Sequence, residues 1–127
     1  MTTAPFLFIT ELTWWDDEGG GAQWCPTGRE FGPSSDGDRP SRVPGTLVLE
    51  ALTQCAGLFL RQTHTSPGSY WMLTGVDDSD VDHIRWGREL TLTCTVRRRS
   101  THAAVLAVSA ATEKGEVCHA MILMHRV

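Results

Sequence analysis

The sequence predicts an α+β domain in which an antiparallel β-sheet wraps one long central helix. Three observations carry this. A single segment, Gly45 to about Thr63, places apolar residues at helical spacing. Four segments after it read as strands parted by turn residues, and a β-favouring hairpin precedes it. With many strands and one apolar helix, curling five or six strands around that helix buries both apolar surfaces.

Phe6 to Trp15 (FLFITELTWW) reads as the first strand, and Asp16 to Gly21 (DDEGGG) as a turn. Ala22 to Thr27 returns as the second strand. Gly28 to Pro44 (GREFGPSSDGDRPSRVP) is one long irregular loop, and loops beyond about 12 to 15 residues in a compact domain are often functional. In the helix, Val48, Ala51, Leu52, Cys55, Ala56 and Phe59 recur at helical spacing, while Leu47, Leu49, Leu58 and Leu60 add apolar surface elsewhere. A helix apolar nearly all round is buried on most of its surface. Pro67-Gly68 is a turn, and Tyr70 to Val76 is the next strand. Leu90 to Arg98 alternates, with Leu90, Leu92, Cys94 and Val96 on one face and threonines on the other. Ala103 to Thr112 and Val117 to Arg126 follow, joined by Glu113-Lys114-Gly115, so the last three strands form a meander.

The 127 residues suit one domain, residues 1–127. A net charge of -4 argues against general nucleic-acid binding, which needs a basic footprint. No apolar run approaches the roughly 18 to 20 residues of a membrane span, and the N-terminus lacks the basic start of a secretory signal. Cys25, Cys55, Cys94 and Cys118 show neither CxxC nor zinc-finger spacing. Reduced thiols, no metal and a cytoplasmic location are the expectation.

The stretch VPGTLVLEALTQCAG, Val43 to Gly57, carries one carboxylate, Glu50, with Gln54 one helical turn later on the same face. A carboxylate buried in such a helix is costly without a partner, which marks Glu50 as a functional candidate. The plainer alternative is a structural pairing with Arg39 or Arg42, Arg61 lying too far along for a direct pair. Gln54 is either a structural hydrogen-bonder to the loop or part of the site. Gly45 either permits close approach of a ligand or only turns the chain into the helix.

PGTLVLEALTQCAG, Pro44 to Gly57, and GVDDSDVDHIRWGREL, Gly75 to Leu90, resemble segments of the β-hydroxyacyl-[acyl-carrier-protein] dehydratases of fatty acid and polyketide biosynthesis. FLFITEL sits where that family has an apolar strand. The resemblance implies the hotdog fold, with a sheet that continues into a second subunit. It implies an elimination in which a His acts on the α-proton, Glu50 handles the β-hydroxyl, and the Gly45 N–H polarises the thioester carbonyl. Gln54 matches the family's glutamine.

The chain departs from the family at the His. Ser35 or Asp36 falls near its position, and all five histidines, His64, His83, His102, His119 and His125, follow the helix motif. Neither Ser nor Asp replaces a neutral imidazole base. His64 and His83 are the candidates for a substitute. The family's site lies between two subunits, which implies a heterodimer here, with Glu50 meeting a His from a second hotdog protein. The other partner implied is an acyl carrier protein, steered by a basic patch: Arg97, Arg98 and Arg99, or Arg39 and Arg42. No cofactor is expected, since phosphopantetheine is carried by the substrate's carrier protein. Trp14, Trp15 and Trp24 are expected to pack the hairpin and a dimer contact rather than an acyl tunnel. The rival readings are a hotdog thioesterase using Glu50 and Gly45, and a non-catalytic subunit that binds a carrier protein or stabilises a dimer.

Overall fold

Residues Gly45–Thr63 form one helix, α1, with the bounds that the apolar spacing predicts. The structure, a computed structural model, describes residues 7–27, 42–63 and 70–127. The Pro44 carbonyl accepts hydrogen bonds from Leu47 N–H (3.0 Å) and Val48 N–H (3.3 Å), opening the helix ladder. Val48, Ala51, Leu52, Cys55, Ala56, Phe59 and Leu60 are buried along one side. Leu47, Leu49 and Leu58 are only partly buried, so α1 is less enclosed than its composition suggests.

Six strands follow the chain as β1 (Trp14–Trp15), β2 (Gly19–Trp24), β3 (Trp71–Val81), β4 (Leu90–Arg99), β5 (Ala103–Thr112) and β6 (Gly115–Arg126). They form one sheet in the order β1-β2-β4-β5-β6-β3, antiparallel throughout. The predicted meander is β4-β5-β6. Because side chains alternate along a strand, Leu90, Leu92 and Cys94 of β4, Leu106 and Val108 of β5, and Ile122 and Met124 of β6 all point to the helix and are buried. Each large aliphatic side chain so buried contributes about 1.5–3 kcal/mol. No helix among the described residues is long and apolar enough to cross a membrane.

Three sequence expectations change. The strand expected over Phe6 to Trp15 shrinks to Trp14–Trp15, because the Phe8 and Ile9 amides bond a helix side chain instead of a neighbouring strand. The glycines expected in a turn form the start of β2. They are needed there: a Cβ on Gly19 would collide with the Cys94 carbonyl oxygen, and one on Gly21 would collide with the Trp14 indole nitrogen. The glycine run is therefore a strand that passes directly beneath an indole. Finally, β3 runs on past Val76 through Asp77–Val81, accommodating bulges at Leu73/Gly75 and Asp77/Asp80 with Asp78 in a left-handed conformation (φ 48°). Trp24 is buried and stacks on Phe8 with ring centroids 5.4 Å apart, while Trp14 and Trp15 are exposed.

All four cysteines are free thiols, and only Cys25 is exposed. Cys55 of α1 faces Cys94 of β4 in the core, and that neighbouring thiol together with burial pushes the Cys55 pKa up. Burial, with Glu116 and Asp80 nearby, pushes Cys118 from 9.0 to about 11. The unfolded chain therefore releases this proton first, between those two values. Stability from Cys118 is fully present below the lower value and is lost as pH rises through the window. Urea midpoints should fall more steeply between pH 9 and pH 11 for the wild type than for Cys118→Ala. Parallel slopes would refute this assignment.

Candidate functional site

Helical periodicity sets Glu50, Thr53, Gln54, Gly57, Leu58 and Arg61 along one face of α1, away from the buried stripe. That face forms the floor of an open cleft of about 290 Å³. Leu7 and Ile9 of the N-terminal segment make one wall, and Tyr70, Trp71 and Met124 of the β3–β6 edge make the other. From Glu50 to Arg61 the floor extends about 16 Å along the helix axis. A polar group thus stands at each end of a largely apolar trough.

Gln54 is the organising side chain. Its Oε1 accepts hydrogen bonds from Phe8 N–H (2.7 Å) and Ile9 N–H (3.1 Å), and its Nε2 donates to Glu50 Oε1 at 3.2 Å. One amide therefore ties the N-terminal wall to the helix and fixes the carboxylate beside it. Gln54→Ala removes the partner of two backbone donors, a loss of about 1–3 kcal/mol. Faster hydrogen exchange at the Phe8 and Ile9 amides would report the loosened wall; unchanged exchange would sink the clamp.

Glu50 is exposed in the single chain, not buried as its apolar neighbours suggested. The reason is rotational: Glu50 and the fully buried Phe59 are nine residues apart and lie on opposite sides of the helix. No cation pairs with Glu50 among the described residues, and Arg42, also exposed, makes no ion pair there. Arg61 shares the cleft without pairing to Glu50, in keeping with its distance along the helix.

Gly45 begins the helix about 7.5 Å before Glu50 along the axis. The N–H groups of Gly45 and Thr46 precede the first bonded donors, Leu47 and Val48, so they belong to the unsatisfied, partially positive helix end. A Cβ at Gly45 would lie 3.5 Å from Val81 Cγ2, an ordinary contact, so packing against the described residues does not require the glycine.

The other expected residues that the structure describes are not brought to the cleft. Arg97 lines a separate cleft with Thr93, Ser109, His119 and Asp80. Arg98 and Arg99 flank the β4–β5 turn, and the Arg99 guanidinium lies 5.8 Å from the Phe59 ring centroid, on the far side of α1 from Glu50. A bulge at Val96/Arg98 divides the run. His83 is exposed beyond the end of β3. Ser35, Asp36, Arg39 and His64 lie outside the described residues. No group of three metal-ligating side chains occurs among the described residues. Sequence reading missed Leu7, Ile9, Tyr70, Trp71 and Met124 as cleft walls. The FLFITEL segment held a signal for the first two in its apolar character, but only the long-range contact with Gln54 reveals their place.

One helix cradled by an antiparallel sheet of this strand order defines a hotdog-fold protein. The chain is similar in structure to the dehydratase heterocomplex ApeI:P from Xenorhabdus doucetiae, at a TM-score of 0.79 and 13% identity, covering 99% of this chain and 86% of that one. It is also similar to a thioesterase from Haemophilus influenzae (TM-score 0.69, 12% identity, covering 92% and 77%). A hot-dog-like protein from Thermanaerovibrio acidaminovorans matches at a TM-score of 0.70 and 17% identity, covering 97% and 84%. In sequence, neither a family model nor a curated protein matches.

Proposed function

We propose that this chain is the carboxylate-bearing subunit of a dehydratase acting on β-hydroxyacyl thioesters carried on an acyl carrier protein, with the histidine supplied by a second hotdog protein. The observation that carries the reading is Glu50 itself: a helix carboxylate held by Gln54 at the mouth of an apolar cleft that no histidine among the described residues lines. Glu50 delivers a proton to the departing β-hydroxyl, which leaves as water. The partner's imidazole takes the α-proton, and the electron pair of that C–H bond becomes the enoyl double bond. The helix end at Gly45 and Thr46 favours the negative charge that develops on the thioester oxygen. The acyl chain lies along Ile9, Leu58, Trp71 and Met124. Similarity to a dehydratase heterocomplex supports the two-subunit form of this reading. Polyketide- or fatty-acid-type biosynthesis in the cytoplasm is its setting.

A second reading has a specific observation in its favour. A carboxylate can activate water without a histidine, and no described histidine lies beside Glu50, so Glu50 and the helix end form the parts of a thioesterase, a class also found among the structural likenesses. The test incubates a carrier-bound β-hydroxyacyl thioester with this chain, alone and with a histidine-bearing hotdog partner that co-purifies with it. Enoyl product only with the partner supports the dehydratase. Free acid from the chain alone replaces it with the thioesterase. A stable homodimer that ignores any such partner sinks the heterodimer.

A further inference from the structure

The cleft beside Glu50 has a second end that the reaction proposed above leaves unused. Arg61 lies on the same face of α1 as Glu50, about 16 Å further along the axis. That separation is about two screening lengths at physiological salt, so the Glu50 carboxylate does not neutralise the guanidinium. No other acid takes its place. From Ala51 to Val76 the sequence holds no Asp or Glu, a stretch that covers the rest of α1 and the start of β3. On β6 the last acid is Glu116, at the opposite end of the strand from the wall residue Met124. On the N-terminal wall Glu11 follows Ile9 closely in sequence, yet it forms no ion pair with Arg61. Among the described residues Arg61 pairs with no carboxylate.

The floor between the two ends is apolar and open. Gly57 lies between Gln54 and Arg61 on that face, and a Cβ there would meet nothing within 4 Å among the described residues. Glycine inside a helix is disfavoured relative to residues with a side chain, so packing against the described residues does not account for it. What it leaves is a passage, with Leu58 on the floor and Ile9, Trp71 and Met124 on the walls. Arg61 stands in the last turn of α1, where a cation also offsets the partial negative charge of the helix end. That role does not require the side chain to line the cleft, which Arg61 does.

We propose that Arg61 reads the far end of the acyl chain, and that the preferred substrate ends there in a carboxylate rather than a methyl group. This rests on the thioester reading above. With Glu50 at the β-carbon, an extended chain advancing roughly 1.2 Å per bond reaches the guanidinium in roughly a dozen bonds. The planar fork of Arg61 then takes both carboxylate oxygens.

The test measures, by calorimetry on the full chain, the binding of two β-hydroxyacyl N-acetylcysteamine thioesters of equal length. One carries a methyl group and the other a carboxylate, roughly a dozen bonds beyond the β-carbon. The carboxylate compound should bind roughly tenfold tighter or more. Arg61→Gln should abolish that preference with a nearly unchanged melting temperature, and Arg61→Lys should keep part of it. Halving both chains should reverse the preference, because the carboxylate then rests on the apolar floor. Gly57→Met should weaken both long compounds without lowering the melting temperature, since its side chain fills the passage and favours the helix. Equal affinity for the two long compounds, or a preference that survives Arg61→Gln, overturns the proposal. The readout needs no catalysis. A carboxylate preference without turnover, with or without the partner, would retire the function proposed above and keep this site; turnover with equal kcat/KM for the two long compounds would do the reverse.

Discussion

Glu50→Gln is expected to lower thioester turnover by about 100-fold or more, the scale of a lost general acid or base. The change is nearly isosteric and falls on an exposed position, so stability should move by less than about 0.5 kcal/mol. Gln54 can still hydrogen-bond the new amide, which keeps the wall formed by Phe8 and Ile9 in place. The effect should appear in kcat rather than KM, because the proton is transferred only in the transition state. Steady-state kinetics on the assembled enzyme, alongside a thermal melt, provide the check. Turnover equal to the wild type would leave the chain as a non-catalytic subunit that binds a carrier protein or stabilises a dimer.

The largest stability effect is expected at Phe59, the bulkiest fully buried side chain among the described residues. Its ring lies against the glycine strand: a Cβ added at Gly20 would stand 3.3 Å from Phe59 Cδ1. The Arg99 guanidinium also lies over the ring, 5.8 Å from its centroid. Phe59→Ala removes the ring from between two elements that cannot collapse onto the space, one a paired strand and the other the helix backbone. A loss of about 3–5 kcal/mol follows. A lower urea midpoint at constant m-value would establish it. A shift below about 1 kcal/mol would mean that the site collapses after all.

The helix was legible because its apolar stripe has one period and one start signal, Pro44 before Gly45. Strand β4 was legible from its strict alternation, and β5 as an apolar run between turn residues. Legibility failed where a distant side chain settles the outcome. Phe8 and Ile9 have strand-forming character, yet Gln54 takes their amides. Gly19 to Gly21 have turn character, yet Trp14 and the Cys94 carbonyl leave room for nothing larger. Asp77 to Val81 look like a polar connection, yet β6 pairs with them through a bulge at Asp77/Asp80. The same rule divides the site. Glu50 and Gln54 share a helix face, which spacing alone reveals. The walls come from Leu7, Ile9, Trp71 and Met124, segments that only the folded chain brings together. The Arg97–Arg99 run shows the converse: adjacency in sequence did not survive a bulge, and its members part to different surfaces.

The strand order has a consequence for how the molecule is assembled in time. The β4-β5-β6 meander joins neighbours in sequence, whereas β2 must find β4 across the chain (Gly19 opposite Thr95) and β3 must find β6 (Trp71 opposite Arg126). Long closures come late, because their entropy is lost before their contacts form. The expectation is a nucleus in the meander, with the cleft walls docking after the folding barrier has been crossed. Gln54→Ala should then hasten unfolding and leave the folding rate almost unchanged. The trough beside Glu50 is then expected to be the last region to become native.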